Sequence, residues 1–485
     1  METKLIINNE AVDASNGATF ERLNSVSGKA ITKGAAATVA DANKAADTAA
    51  IAFKTWSETG PTERRTLLLK AADILESKTN DIIQAMAAEV GASALWSGFN
   101  VMMAAGLFRE AAGLTTQVQG ETIPTDKPDT LSMTFRQPVG VVLSMAPWNG
   151  PVALAARAIA YPIAFGNTVV FRASEVSPKT HLLVCEALFE AGLPAGVLNV
   201  ITHASEDAPQ ITEALVAHPA IRRINFTGSS RVGSIIAQQA AKHLKRCLLE
   251  LGGKSPLVIL DDANIDEAVR AAVFGCFLYQ GQICMTTGRI IVDEKVADEF
   301  VEKFTIATQQ LTMGDPMVSG NEMCIVGPLI DSSSGDRLNG ILQDALDQGA
   351  NIVSGGKADG ASMPATILDN VTSDMRAYNE ESFGPVISII RVKDDEQALF
   401  VANDTEYGLS ASVFSRDFPR AMKMAKHIES GICHINSATV NGEAQAPYGG
   451  TKATGYGRFD GRAVIDEFTE LRWVTVAPNH VHYPF

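Results

Sequence analysis

Cysteine is scarce in this chain, and basic residues are outnumbered. Six cysteines occur in 485 residues, at positions 185, 247, 276, 284, 324 and 433. None forms a C-x-x-C pair or shows zinc-ligand spacing, so no metal site is expected. So few thiols in so long a chain make no disulfide framework, and a reducing cytoplasm is the expected compartment. Lys and Arg number 40 against 55 Asp and Glu, giving a net charge of -15 and a pI of about 5.1. That balance argues against non-specific binding to nucleic acid or to an anionic membrane. No apolar run reaches the roughly 18 residues a bilayer span needs. The longest candidate, VALAARAIAYPIAFG, carries Arg157 and is interrupted by Pro162. The opening METKLIINNE shows no basic region followed by an apolar stretch, so no secretion signal is expected. No internal repeat or low-complexity tract is visible.

What is present is an ordinary globular balance, 46% apolar and 20% charged, in a chain long enough for two or three domains. Residues 41–59 and 62–90 have helical periodicity, with Pro61 placed to start the second helix. Residues 114–137 alternate polar and apolar positions around a Pro/Asp/Lys turn and predict a β-hairpin. A rhythm of short apolar strands and helices then begins at VGVVLSMAP and continues through NTVVFRAS, GVLNVIT and IRRINFTGS. After Glu250 it repeats with PLVILD, GRIIVD and PVISIIRV. Alternation of this kind predicts α/β architecture, two parallel-sheet domains in sequence.

Four stretches carry chemically useful residues. In FTGSSRVG (226–233) a strand ends, small residues follow and a helix begins; free N–H groups and the helix dipole there suit a pyrophosphate, although a plain turn would read the same. In LLELGGKSP, Glu250 interrupts an apolar run before two glycines, as a general base with a raised pKa or as an ion-paired carboxylate. In MAPWNG, Asn149 follows Trp148 at a strand's end, where its amide could donate to an oxyanion or stabilise a turn. In YQGQICMTTGR, Cys284 sits in a polar, glycine-punctuated turn, unlike Cys185, Cys247 and Cys276 in apolar runs. A thiol so placed is either presented as a nucleophile or packed as a small apolar group.

In this order PWN, FTGS, ELGGKSP, GQIC, ESFGPV and PYGGTKATGYGR resemble the aldehyde dehydrogenase superfamily along essentially the whole chain. The resemblance implies an aldehyde dehydrogenase-like fold of three parts. These are an NAD-binding domain (1–113 and 138–249), a catalytic domain (250–460) and a β-hairpin oligomerisation element (114–137 and 461–485). It implies Cys284 as nucleophile, Asn149 as oxyanion donor and Glu250 as the base that activates water against the thioester. For the cofactor it implies Trp148, Gly228, Ser229 and Gly233 around the pyrophosphate turn, and Glu381 and Phe383 at the nicotinamide ribose and ring. Arg172 and Glu175 correspond to residues that grip the adenosine ribose. Glu175 favours NAD, while Arg172, where the family usually has lysine, leaves NADP as the alternative.

Two departures stand out: Gly150 replaces an aromatic after the Asn, and Phe459 stands where a carboxylate is frequent. EVGASALWSGFN, GQICM, NGEAQAPYGG and GYGRFDGRAVIDEFTE are similar to aromatic-aldehyde dehydrogenases, above all those acting on salicylaldehyde in naphthalene breakdown. Trp96, Met103, Gly150, Ile283, Met285 and Tyr448 are the expected walls of a pocket for a small aromatic aldehyde. Benzaldehyde- or vanillin-type breadth and CoA acylation are the alternatives, and a homodimer or homotetramer is expected.

Overall fold

The computed structural model describes residues 1–478 and 483–485. The part of the 461–485 element at 479–482 lies outside the described residues. The structure is α/β, as the rhythm predicts, with two mainly parallel sheets. In the first, Arg246–Glu250, Ile221–Thr227, Val141–Met145, Thr168–Arg172 and Leu198–Ile201 run parallel in that spatial order. Short antiparallel strands extend both sides, Gly455–Tyr456 on one and Leu5–Ile7 followed by Glu10–Val12 on the other. The apolar strands are buried on both faces because helices cover them, which is why they read as continuous Val/Ile/Leu runs. The second sheet runs Asn351–Ser354, Thr366–Asp369, Val386–Val392, Thr287–Asp293, Ser255–Ile259, Ser410–Phe414, Ile432–Ile435 and is parallel apart from its first strand.

Val141–Met145 comes first in the chain among the five parallel strands but lies at their centre. The chain adds strands on one side, then returns to add two on the other. A crevice opens where the direction reverses, beyond the carboxyl ends of Val141–Met145 and Ile221–Thr227. Residues 147–150 and 227–229 lie at that point.

Two local readings differ from the structure. The 62–90 run is two helices, Pro61–Ser77 and Thr79–Val90, broken at Lys78. Ser77 and Thr79 hydroxyls donate to the Ile74 and Glu76 carbonyls, competing with the backbone there. The expected 114–137 hairpin is regular only in its second arm. Leu131–Pro138 pairs along its whole length with Thr469–Val476, while the first arm contributes a bridge between Thr122 and Met133. Pro124 and Pro128 lack the N–H groups a longer ladder needs.

Candidate active site

Cys284 occupies a turn leading into Thr287–Asp293, closed by a hydrogen bond from Thr286 N–H to the Ile283 carbonyl (2.9 Å). Tyr279, Gln280 and Gly281 precede it with φ of 50°, 44° and 70°. Consecutive left-handed residues bearing side chains are strained and persist only when the surroundings hold them. Here Tyr279 Oη donates to the Val90 carbonyl (3.0 Å) and Gln280 Nε2 to the Pro328 carbonyl (2.7 Å). On the other side Thr439 Oγ1 donates to the Met285 carbonyl at 2.7 Å. Gly253 lies so close that a Cβ on it would stand 2.4 Å from the Cys284 carbonyl oxygen. The turn is therefore held on every side, and the thiol is half-buried within it.

Asn149 is buried and held through both its backbone and its amide. Its carbonyl accepts from the Trp96 indole N–H (2.9 Å), and its Nδ2 donates one hydrogen to the Gln282 carbonyl (3.0 Å). The second amide hydrogen remains available. Glu250 ends the Arg246–Glu250 strand, 1% exposed, with Oε1 lacking any hydrogen-bond partner. Burial raises its pKa to about 8; Arg157 and Arg458 offset part of this, and Asp460 adds to it. Burial also pushes the Cys284 thiol up. The Glu250 charge reinforces that rise and the Tyr448 hydroxyl opposes it. The Glu250 carboxylate thus disfavours a thiolate at Cys284.

Two cavities meet here. One is an open cleft of about 560 Å³ at the sheet crevice, bordered by Trp148, Thr227, Gly228, Ser229, Glu381 and Phe383 among others. Ser229 caps the Ser230–Lys242 helix by accepting from Val232 N–H, so the helix N-terminus faces the cleft. Gly228 N–H donates to the Glu250 carbonyl (3.0 Å), which joins the turn to the neighbouring strand. Glu381 accepts from Gly253 N–H (2.8 Å), and burial lifts its pKa to about 7. Phe383, at φ 44°, meets the Trp148 ring edge to face, with centroids 5.6 Å apart.

The other cavity, about 450 Å³, is mostly apolar. All six residues expected as pocket walls border it: Trp96, Met103, Gly150, Ile283, Met285 and Tyr448. Asn149 and Cys284 border both cavities.

Three expected cofactor residues do not border the cleft. Gly233 faces Leu251, whose side chain a Cβ would meet at 2.5 Å, so the glycine serves helix–strand packing. Arg172 ends the Thr168–Arg172 strand and Glu175 follows it, on the far side of Val141–Met145 from the glycine turn. Arg172 hydrogen-bonds His203 Nε2, and His203 Nδ1 contacts the Ala204 carbonyl. Because arginine only donates, Nε2 must accept and the ring proton belongs on Nδ1. Glu175 borders a separate hollow with Arg22 and Asp331.

Other residues at the site escape the motif reading. Arg157 borders the apolar cavity and forms a buried ion pair with Asp460 (2.7 Å). Its signal was a charge inside an apolar helix. Phe459, at the position of the missing carboxylate, is buried and exchanges backbone hydrogen bonds with Tyr448 (both 2.8 Å). The next residue, Asp460, brings a carboxylate into the same interior.

The aldehyde dehydrogenase family profile matches residues 12–474, and the chain belongs to that family. It is an aldehyde dehydrogenase, and the family works with NAD or NADP. The chain is 62% identical over 485 residues to a salicylaldehyde dehydrogenase of Pseudomonas putida, covering 100% of both chains. It is 51% identical over 484 residues to a vanillin dehydrogenase of Pseudomonas fluorescens, again covering 100% of each. Its fold matches the crystal structure of a salicylaldehyde dehydrogenase from Pseudomonas putida G7 complexed with salicylaldehyde. There the TM-score is 0.98, the identity 62% and the coverage 100% of both chains. No helix among the described residues is long and apolar enough to cross a membrane.

Proposed function

We propose that this enzyme oxidises salicylaldehyde, and related aromatic aldehydes, to the carboxylic acid with NAD, using Cys284 as nucleophile. The observation that carries the proposal is that Cys284 and Asn149 stand where the two cavities meet. A thiol at that junction reaches an aldehyde from one side and a hydride acceptor from the other.

The cleft residues suit a dinucleotide. The capped helix N-terminus and the Gly228–Ser229 turn offer N–H groups and a positive dipole end to a diphosphate. Glu381 offers a carboxylate to ribose hydroxyls, and Trp148 and Phe383 offer apolar faces to a ring. Gly252 keeps the wall thin, since a Cβ there would crowd Glu381 Oε2 at 2.9 Å. When bound, the nicotinamide accepts the hydride. Preference for NAD rests on Glu175, whose carboxylate would bond ribose hydroxyls and repel a 2′-phosphate, while Arg172 hydrogen-bonds His203.

The reaction we infer assigns each of these residues a step. Glu250 takes the thiol proton, and Sγ attacks the carbonyl carbon. The resulting oxyanion is held by the free Asn149 amide hydrogen and the Cys284 N–H. Once the carbon is oxidised to a thioester, Glu250 gives up its proton to solvent and removes one from water, the water oxygen attacks, and the C–S bond breaks to release the acid and regenerate the Cys284 thiolate.

The pocket supports an aromatic substrate. Trp96 stacks on Phe99 and on Tyr279 (centroids 5.4 and 5.2 Å), which makes a flat, stiff wall. A Cβ on Gly150 would meet Asn100 and Leu154 at 3.4–3.5 Å, so any larger side chain there takes ring space. Apolar walls discriminate weakly, which fits turnover of several benzaldehydes, vanillin included. Six unpaired cysteines support a reducing cytoplasm. A place in naphthalene breakdown rests on the resemblance to salicylaldehyde enzymes. The ribbon of Leu131–Pro138 and Thr469–Val476 exposes Phe135, Leu471 and Trp473, which supports burial against a second copy in a homodimer or homotetramer.

NADH formation from salicylaldehyde tests the proposal, with Cys284→Ala and NADP as controls. Rapid NAD-dependent turnover, lost in the variant, is expected; no NADH from salicylaldehyde, benzaldehyde or an aliphatic aldehyde would overturn it.

A further inference from the structure

One hydroxyl beside the proposed nucleophile has no task in this mechanism. Tyr448 Oη lies 3.1 Å from Cys284 Sγ, in a side chain that is buried. Burial raises the phenol's pKa well above its ordinary 10, so the hydroxyl keeps its proton and acts toward a thiolate as donor. The Arg157 guanidinium carbon stands 3.9 Å from the centre of the Tyr448 ring, over its face. A cation there draws electron density from the ring and strengthens the O–H as a donor. Arg157 is fixed by two hydrogen bonds to Asp460, at 3.1 and 2.7 Å, with both side chains buried. Asp460 makes them from φ 63° and ψ 160°, a conformation that residues other than glycine hold only when the surroundings impose it.

We propose that Tyr448 is a catalytic residue whose hydroxyl donates a hydrogen bond to the Cys284 thiolate, with Arg157 and Asp460 as positioning residues that hold and polarise it. The inference rests on Cys284 being the nucleophile. The charged groups acting on Cys284 divide by sign. Glu250 and Glu381 disfavour the thiolate, whereas Arg157 and the Tyr448 hydroxyl favour it. Tyr448 thus offsets from the pocket side a repulsion that the base imposes. Its proton stays on the phenol oxygen throughout. The thiol proton goes to Glu250, and the hydrogen bond weakens as Sγ gives its electron pair to the carbonyl carbon.

Alkylation by iodoacetamide tests this, followed across pH in the full-length enzyme without cofactor and located by peptide mass. Tyr448→Phe keeps the ring under Arg157 and removes only the hydroxyl. Its alkylation midpoint should rise by about one pH unit, a tenfold loss of thiolate at fixed pH. Asp460→Asn should move the midpoint the same way by less. Altered packing alone would scale the rate at every pH and leave the midpoint in place, and an unmoved midpoint in Tyr448→Phe would overturn the proposal. Circular dichroism checks that the variants fold, and Tyr448→Phe suffices if Asp460→Asn does not. Absence of label at Cys284 in the parent enzyme would remove the nucleophile itself, an outcome distinct from an unmoved midpoint.

Discussion

The Trp96 indole N–H donates to the Asn149 backbone carbonyl at 2.9 Å, tying the wall of the apolar cavity to a residue that borders both cavities with Cys284. Trp96→Phe keeps a ring in the stack and leaves that buried carbonyl without a donor. A group left unpaired in this way costs about 1–3 kcal/mol. The variant should melt at a lower temperature and lose roughly tenfold in kcat with salicylaldehyde, since small displacements of catalytic groups are costly. Unchanged kcat with a raised KM would assign Trp96 to binding alone.

Glu250 supplies a pH signature. Its pKa is raised from 4.5 to about 8, so the folded protein favours the protonated form. The stability tied to that form is complete below pH 4.5 and disappears as pH rises through about 8. Glu250→Gln avoids the loss. Thermal melts should show no gain over the parent in acid and a growing gain that levels off above pH 8. Activity should move the other way. Parent turnover should climb with pH through about 8, while the variant, lacking the base for both proton transfers, should turn over slowly at every pH.

Gly150 is a question of space. Phenylalanine there should raise KM for salicylaldehyde more than for acetaldehyde, because its ring takes the volume an aromatic substrate needs. Steady-state kinetics on both aldehydes decide this; equal effects would refute the pocket reading.

Gly253 is a question of contact. With the Cβ of an alanine held 2.4 Å from the Cys284 carbonyl oxygen, the nucleophile's turn must shift. Gly253→Ala should reduce kcat by about a hundredfold, the usual cost of a displacement near 1 Å. Iodoacetamide labelling of Cys284 should slow in parallel.

Leu471 is 58% exposed on the ribbon strand. Leu471→Glu should shift the enzyme toward smaller species in light scattering after gel filtration. An unchanged mass would place the subunit contact elsewhere.

The motif readings and the structure part company in instructive places. Gly228 and Gly233 stand in one short stretch, yet the first borders the cleft and the second packs under Leu251. Gly228 precedes the helix cap Ser229, whereas Gly233 lies inside the Ser230–Lys242 helix on its packed face, and spacing alone does not say which face is covered. Phe459 read as a lost carboxylate, but Asp460 supplies one to the interior from a strained backbone that no propensity would suggest. Arg157 was visible only as an oddity in an apolar helix.

Strands, helices and turns were legible because they depend on contiguous residues: apolar period, capping and glycine placement act over a few positions. So was the cysteine in its turn, together with the ordered motifs that point to an aldehyde dehydrogenase. Other features came from packing. Thr469–Val476 serves as the regular partner of Leu131–Pro138. Asp460 reaches Arg157 across 303 positions, and Cys284 and Asn149 lie at the meeting of two cavities. These relationships join segments far apart in the chain, and the docking of sheets and helices sets them, a choice that local spacing does not encode.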